Sequence, residues 1–472
     1  MSLSGALNAA QSGLAASQTM SQVAAENISN AMTPGYVRRN AALVSIGIGQ
    51  GGVVVGEIQR EVDAALDRLA RIEQGKTARH QAVLDALQNY TSYLGQPGDA
   101  RSLPEKYSVF SSSLSTLANQ PASLGAQKGA VLAAEELAAT IRTLDGHLAG
   151  VRADVDLEIR YDVADLNESL YDLAKLNETV RTFRPGTPEH AQYSDLVDTK
   201  IDEISAIVDV RVSKLSDGSV ALFTLTGAAL LEGNRVHDVK YFPGDGSLMA
   251  GEQDITPGKS GVHGVEHGSL SGLLALVRDV FPRFQDQLDE YARGLIQSFE
   301  ASDATLGPGQ AGLFTDGGGP FDPSNAKGLA GRIEVNAAVR QDGGNEAWRI
   351  RDGLGAASEG PAADASQVIS FLEALDAPLG AGSATGIAAS TSVADFASAL
   401  VAAQSAERAN AEERLNEALT ASEVITAARQ NAEGTNIDEE LSRLQLIEKS
   451  YAANAKILSA VSEMLDELLA AV

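Results

Sequence analysis

Cysteine is absent from all 472 residues, which excludes disulfides, thiolate metal sites and a cysteine nucleophile. Aromatic side chains make up only 5%, with a single Trp, a composition that suits long helices in close contact better than a large aromatic-rich core. Cations are also scarce: 36 Lys and Arg face 63 Asp and Glu, a net charge of −27. Phosphate recognition and polybasic membrane contact both need a cationic face, so neither nucleic acid nor a membrane is expected as a partner. The same charge keeps a monomer soluble at high concentration before any assembly. No stretch reaches the roughly 18 apolar residues of a membrane span. The start, MSLSGALNAAQSGLAAS, lacks the cationic opening and apolar run of a secretory signal, which predicts a cytosolic protein unless another export route carries it. The length allows two to four domains.

What is present is periodicity. Leu3, Leu7, Ala10, Leu14, Ser17, Ser21, Ala24 and Ile28 follow alternating steps of four and three, the spacing of a helix with a narrow apolar seam. Half of that seam is small. The helix is predicted to stop near Asn30, because Thr33-Pro34-Gly35 breaks it. At the other end, Leu444, Ile447, Tyr451, Asn454, Leu458, Val461, Leu465 and Leu468 form a second seam of the same kind. Asn436 can cap that helix, with Glu439 as its capping-box partner. Asn454 has two readings, a water-facing edge position or a polar residue that sets register inside a helix pair. Two seams at opposite ends are most simply satisfied by each other, which makes the middle an insertion. A lone helix with one apolar stripe is marginal in water, so the ends are expected to stay unfolded until neighbouring copies cover them.

Between the ends, Val37 to Ile46 and Val53 to Ile58 read as extended segments around a glycine cluster. Helices are predicted from about Glu61 to Leu94, then at 103–119, 126–182, 188–208 and 270–300, the last with Pro282 as a kink. Residues 209–242 alternate and contain Asp217-Gly218, a hairpin turn in a small antiparallel sheet. The stretch 303–360 holds 13 glycines and reads as loop, with short strands at 332–339 and 346–351. Two helices, 389–432 and 436–470, meet at Gly434. The fold class is therefore mainly α: terminal helices paired as a coiled coil, a long-helix bundle in the middle, and a small antiparallel β element. The predicted domains are a terminal assembly domain (1–60 and 433–472), a helical bundle (61–302 and 389–432, with its hairpin at 209–242), and a reduced Gly-rich outer insertion (303–388).

Asn27-Ile28-Ser29-Asn30 followed by Thr33-Pro34-Gly35-Tyr36-Val37-Arg38 resembles the N-terminal signature of flagellar rod, hook and hook-associated proteins. Gly51, Val53, Val55, Ile58, Arg60 and Asp63 continue it. The C-terminal stretch with Asn436, Asp438, Glu439 and Glu440 resembles the last helix of the same axial proteins. Within that family the long helices at 163–180 and 268–299, in place of a β-rich segment, resemble the hook-associated junction proteins. The resemblance implies a structural part and not an enzyme: a ring of copies between hook and filament, both end helices forming an inner coiled coil. It also implies export by the flagellar type III apparatus without a cleaved signal, so location in the flagellum outside the cell. The implied partners are other copies, the hook protein, a second junction protein, and an export chaperone on the C-terminal helix. Competing readings are another axial component, from hook or distal rod, and a rod-associated polymer-degrading enzyme, for which no segment offers a resemblance.

No cofactor or metal site is expected. Gly47-Ile48-Gly49-Gln50-Gly51-Gly52 matches a dinucleotide fingerprint, but a β run follows it where a helix N-terminus would have to receive the pyrophosphate. His263-Gly264-Val265-Glu266-His267 spaces two histidines four apart, yet flanking glycines disfavour a helix and no third ligand is near in sequence. The acidic pairs, such as Glu135-Glu136 and Glu412-Glu413, read as solvated helix faces.

Overall fold

A computed structural model describes residues 3–46, 51–95, 98–260, 262, 264–380, 382–388 and 390–470. Leu3–Ser29 (α1) leads into Arg39–Ser45 (β1) and Val53–Arg60 (β2), then Ala64–Thr91 (α2), Leu103–Asn119 (α3), Leu124–Val180 (α4) and Pro188–Ile207 (α5). Seven short strands follow: Arg211–Lys214 (β3), Val220–Phe223 (β4), Ala229–Glu232 (β5), Arg235–Val236 (β6), Val239–Phe242 (β7), Ser247–Ala250 (β8) and Gln253–Asp254 (β9). After Ser269–Ala275 (α6), a π-helical turn at Leu276–Val280 and Phe281–Ser302 (α7) come Phe314–Asp316 (β10), Ile333–Val335 (β11), Arg349–Asp352 (α8) and Ser366–Asp376 (α9). Val393–Glu433 (α10) and Ile437–Ala470 (α11) complete the order. The protein is mainly helical, and its two terminal helices pack on each other.

Three local expectations need correction. Pro282 stands not inside one continuous α-helix but in the first turn of α7, directly after a π-helical turn. It has no N–H to return to the carbonyl four residues back, and the turn before it widens to π geometry, with the Phe281 N–H reaching Leu276 O. The β region runs to Asp254 and forms two sheets, in orders β3-β4-β5-β6 and β7-β8-β9, all antiparallel. The strand expected at 346–351 is a helical turn, α8, because the Arg349 guanidinium folds back onto Glu346 and onto the carbonyls of Leu354 and Ala356.

The chain divides into two units. The first comprises Met1–Arg79, Tyr161–Ser271 and Asn416–Val472. Within it the sheets lie on the C-terminal part of α4, gripped by two asparagines ten residues apart. The Asn167 side chain exchanges two 2.8 Å hydrogen bonds with the backbone of Val239. Asn177 donates to Val220 O and accepts from Val220 N. Each therefore satisfies strand groups that would otherwise be buried without partners.

The second unit comprises His80–Arg160 and Gly272–Leu415. Its core is an aromatic cluster: Phe299 lies 4.8 Å from Phe371, 5.2 Å from Phe314 and 5.7 Å from Phe110, ring centre to ring centre. A buried relay from Tyr90 Oη through Gln404 and Gln287 to the Thr385 carbonyl threads the same unit. The Gly-rich stretch 303–388 is folded into this core, with Leu313, Phe314, Ile333, Ile350 and Phe371 all buried.

Candidate assembly interface

α1 and α11 run antiparallel. Gly13 sits against Asn454, while beyond the end of α1 Arg38 meets Glu440 in the first turn of α11. The side chains buried in α1 are small: Ala10, Ala16, Ser17 and Ala24, with Gly13, Val23 and Asn27. From α11, Ile447 and Val461 are buried apolar residues. The predicted seam is thus occupied unevenly. Leu3, Leu7, Leu14 and Ile28 are half-buried, as are Leu444 and Leu458, whereas Tyr451, Leu465 and Leu468 are exposed. Small residues permit the close approach: a Cβ at Gly13 would come within 2.6 Å of Asn454 Nδ2. Asn454 therefore faces into the helix pair. The two ends cover each other within one chain, the pairing expected of two seams at opposite ends.

What the pairing leaves open is a second stripe on α11. Leu446, Ser450, Ala453, Ile457, Ala460 and Met464 follow the same four-and-three spacing and are all exposed, Leu446 by 66%, Ile457 by 47% and Met464 by 46%. A row of this length on an otherwise acidic chain is an uncovered helix-packing face.

The signature residues form the roots of the pair. Asn27 is fully buried; it donates to Arg39 O at 2.9 Å and accepts from Arg39 N and from Tyr36 Oη. Burial pushes the Tyr36 hydroxyl up to about 12, so it stays a donor. Asn30 bonds the Glu26 carbonyl and accepts from Thr33. Gly35 has φ +77° and packs against Thr199, a backbone conformation that favours glycine. At the other root, Asn436 accepts from the N–H groups of Asp438 and Glu439 and caps α11. The Glu439 carboxylate does not turn back to complete a capping box: it reaches Arg38, which also holds the buried Glu440 at 2.8 Å. The N- and C-terminal signatures are therefore one site, joined by Arg38 across 402 residues of sequence.

Beneath these roots runs a feature the sequence reading missed, an alternating ladder of charges. Glu26 faces Arg39 at 3.6 Å, Arg39 faces Asp195 at 3.0 Å, and Asp195 faces Arg60 at 2.7 Å. Arg60 meets Asp198 at 2.8 Å, Asp198 meets Arg71 at 3.2 Å, and Arg71 meets Asp202 at 2.6 Å. Arg429 closes it, bound to Asp202, Asp67 and Glu433. Most of these groups are buried. Burial raises Asp67, Asp195 and Glu433 above the ordinary carboxylate range. Burial opposes the charge on Asp198 too, but Arg60, Lys214 and Arg71 outweigh it and hold that carboxyl low. The available signal was Asp195, Asp198 and Asp202 at steps of three and four on one face of α5. Their arginines lie in β1, β2, α2 and α10, out of reach of any local pattern.

The expectations of no nucleotide and no metal site were made on glycine and histidine motifs. Gly47 to Gln50 and His263 lie outside the described residues; the segments flanking the glycines are the antiparallel pair β1 and β2. Among the described residues no group of three or more His, Cys, Asp or Glu side chains is placed to hold a metal ion, and no helix is long and apolar enough to cross a membrane.

Comparison with known proteins bears on the same elements. A family model described as the flagellar hook-associated protein FlgK helical domain matches residues 87–311, and the flagellar basal body rod FlgEFG protein C-terminal model matches 429–471. Flagellar hook-associated protein 1 of Bacillus subtilis is 26% identical across 98% of this chain and 97% of its own length. The chain is similar to the hook-associated protein 1 family over nearly its whole length. Members from Salmonella typhimurium and Escherichia coli are each 25% identical, over 71% and 63% of this chain. The chain spans 64% and 56% of those two relatives. A solved structure, the flagellar hook junction protein FlgK from Burkholderia pseudomallei, aligns at TM-score 0.44 and 20% identity over 53% of this chain and 46% of that one. The C-terminal match falls on the end of α10 and on α11.

Proposed function

We infer that the chain is a structural component of the bacterial flagellum that forms the junction between hook and filament, built into place through its terminal helices. The observation that carries this reading is the α11 stripe of Leu446, Ile457 and Met464, an apolar face left open after α1 and α11 have covered each other. A helix face of that kind is satisfied by a helix from another molecule, and in a ring that molecule is another copy. The hook protein and a second junction protein are the neighbours on either side. The flagellar type III apparatus exports the chain without a cleaved signal, and a chaperone covers the C-terminal helix until then. The protein has no catalytic task in this reading. Deleting its gene leaves hooks intact and bare, with flagellin shed into the medium, when hooks and medium are inspected by electron microscopy and immunoblot. Cells that stop before the hook would point to a rod component, and normal filaments would remove the junction role.

A further inference from the structure

The charge ladder has more order than a set of surface ion pairs. It alternates in sign through Glu26, Arg39, Asp195, Arg60, Asp198, Arg71, Asp202 and Arg429 before ending on Asp67 and Glu433. Its acids in the middle all stand on one element, α5. Its arginines come from four others: Arg39 from β1, Arg60 from β2, Arg71 from α2 and Arg429 from α10. Arg39 and Arg60 belong to the hairpin that α1 leads into. Arg429 and Glu433 belong to the last turns of α10, directly before α11. Glu433 also receives the Asp63 N–H at 2.8 Å, and its carbonyl receives the N–H of Arg38. The ladder therefore grips the roots of both terminal helices and fastens them to the same helix.

We propose that this ladder is a joint: it fixes the roots of α1 and α11 on α5, so that the terminal pair meets neighbouring copies already aligned. Asp195 and Asp198 are its positioning residues, since each is shared between two arginines. Buried ion pairs add little net stability over apolar packing, but removing one partner leaves an uncompensated charge and is costly. Their value is geometric. Planar guanidinium groups bound at fixed angles to carboxylates define one arrangement where an apolar contact would allow several. The proposal rests on the junction reading above and adds the part of the molecule that orients the assembling helices.

The test uses the full chain with Asp195→Asn and Asp198→Asn together, which keeps shape, removes both charged partners of Arg60 and takes one each from Arg39 and Arg71. Purified protein is added to hooks lacking the junction, flagellin is supplied, and filament-bearing hooks are counted. A staple is available because the protein has no cysteine: a Cβ built at Gly35 lies 3.7 Å from Thr199 Cβ, the spacing of a disulfide. Gly35→Cys with Thr199→Cys thus ties the chain just beyond α1 to α5 by a bond independent of the ladder, and because Gly35 holds φ +77° the oxidised staple is first shown to assemble as wild type with the ladder intact. The expected result is at least a tenfold loss of filament-bearing hooks for the double Asn variant. Hydrogen exchange should be faster through α1 and the β1–β2 hairpin, with protection of α3 and α7 unchanged. Oxidising the staple in the same variant restores assembly, and reducing it removes the gain. Assembly of the double Asn variant at the wild-type level overturns the joint, and so does failure that the oxidised staple does not repair. Failure of the wild-type chain to support filaments would instead overturn the junction reading on which the joint rests.

Discussion

Gly13 faces Asn454 across the helix pair, and its tolerance is decided by that one neighbour. A Cβ there meets the amide of Asn454 at 2.6 Å, and its three nearest neighbours are all atoms of that side chain, so the obstacle is the end of a side chain that can swing away. Gly13→Ala is expected to be nearly neutral, because about 1 kcal/mol of helix propensity gained by alanine is offset by displacing Asn454. In an Asn454→Ala background the same change becomes stabilising by about 1 kcal/mol. Gly13→Leu overfills the site and costs about 1–3 kcal/mol in either background. Urea titration of the four members of the Ala cycle measures the coupling; identical effects of Gly13→Ala in both backgrounds would mean that the two residues do not touch. The sequence offered Asn454 as either an edge or a register residue. It could not choose, because the axial offset between two helices more than 400 residues apart is set by the tertiary fold and not by either helix's own period.

At the scale of elements, helices were the legible part. The 3.6-residue periodicity of α3, α4, α5 and α11 is strong and their ends carry breakers or caps, so predicted and observed limits agree within two residues. The β3–β9 region was legible as antiparallel β with the Asp217-Gly218 turn joining β3 to β4, but not in its extent to Asp254 or its division into two sheets, since short strands say little about which partner they choose. The charge ladder was the least legible, and it controls how the first unit responds to acid. Its six carboxylates, Glu26, Asp67, Asp195, Asp198, Asp202 and Glu433, face four arginines, so six minus four leaves two negative charges in excess. The raised groups, Asp67, Asp195 and Glu433, bind protons more tightly folded than unfolded. Their contribution therefore falls as pH rises through their folded values and returns on mild acidification. Asp198 is depressed, so the stability it adds is present above the ordinary aspartate value of about 4 and is lost as pH falls through its lower folded value. Urea titrations across pH, comparing wild type with Asp198→Asn, should give a stability difference that is constant above about pH 5 and shrinks below about pH 4. A difference that stays constant down to about pH 2 would show that Asp198 keeps an ordinary pKa in the folded state.

For the whole molecule, the tension lies between staying soluble alone and assembling in numbers. A net charge of −27 holds free copies apart, while the α11 stripe favours association. Two faces of α11 should therefore separate in mutagenesis. Ile447 is buried in the contact with α1. An aspartate there must be buried unpaired or neutralised, at a cost of several kcal/mol, and Ile447→Asp should release α1 and α11 in the isolated chain, seen as fast hydrogen exchange at both ends. Ile457 and Met464 are exposed on the second stripe. Ile457→Asp or Met464→Asp meets only water in the free chain, so its melting and exchange pattern should match wild type. In a ring the same carboxylate is buried against a neighbour in every copy, so assembly should fail although the monomer is intact. Leu458 is half-buried and stands eleven residues from Ile447, on the α1-facing side of α11; Leu458→Asp should therefore loosen the helix pair first and abolish assembly through that loss. Export is bypassed by adding purified protein directly to hooks lacking the junction, which keeps a chaperone defect from being mistaken for an assembly defect. Normal filament growth with Ile457→Asp and Met464→Asp combined would mean that the stripe stays open to water in the assembled flagellum, and the packing face for neighbouring copies would have to be sought elsewhere on the first unit.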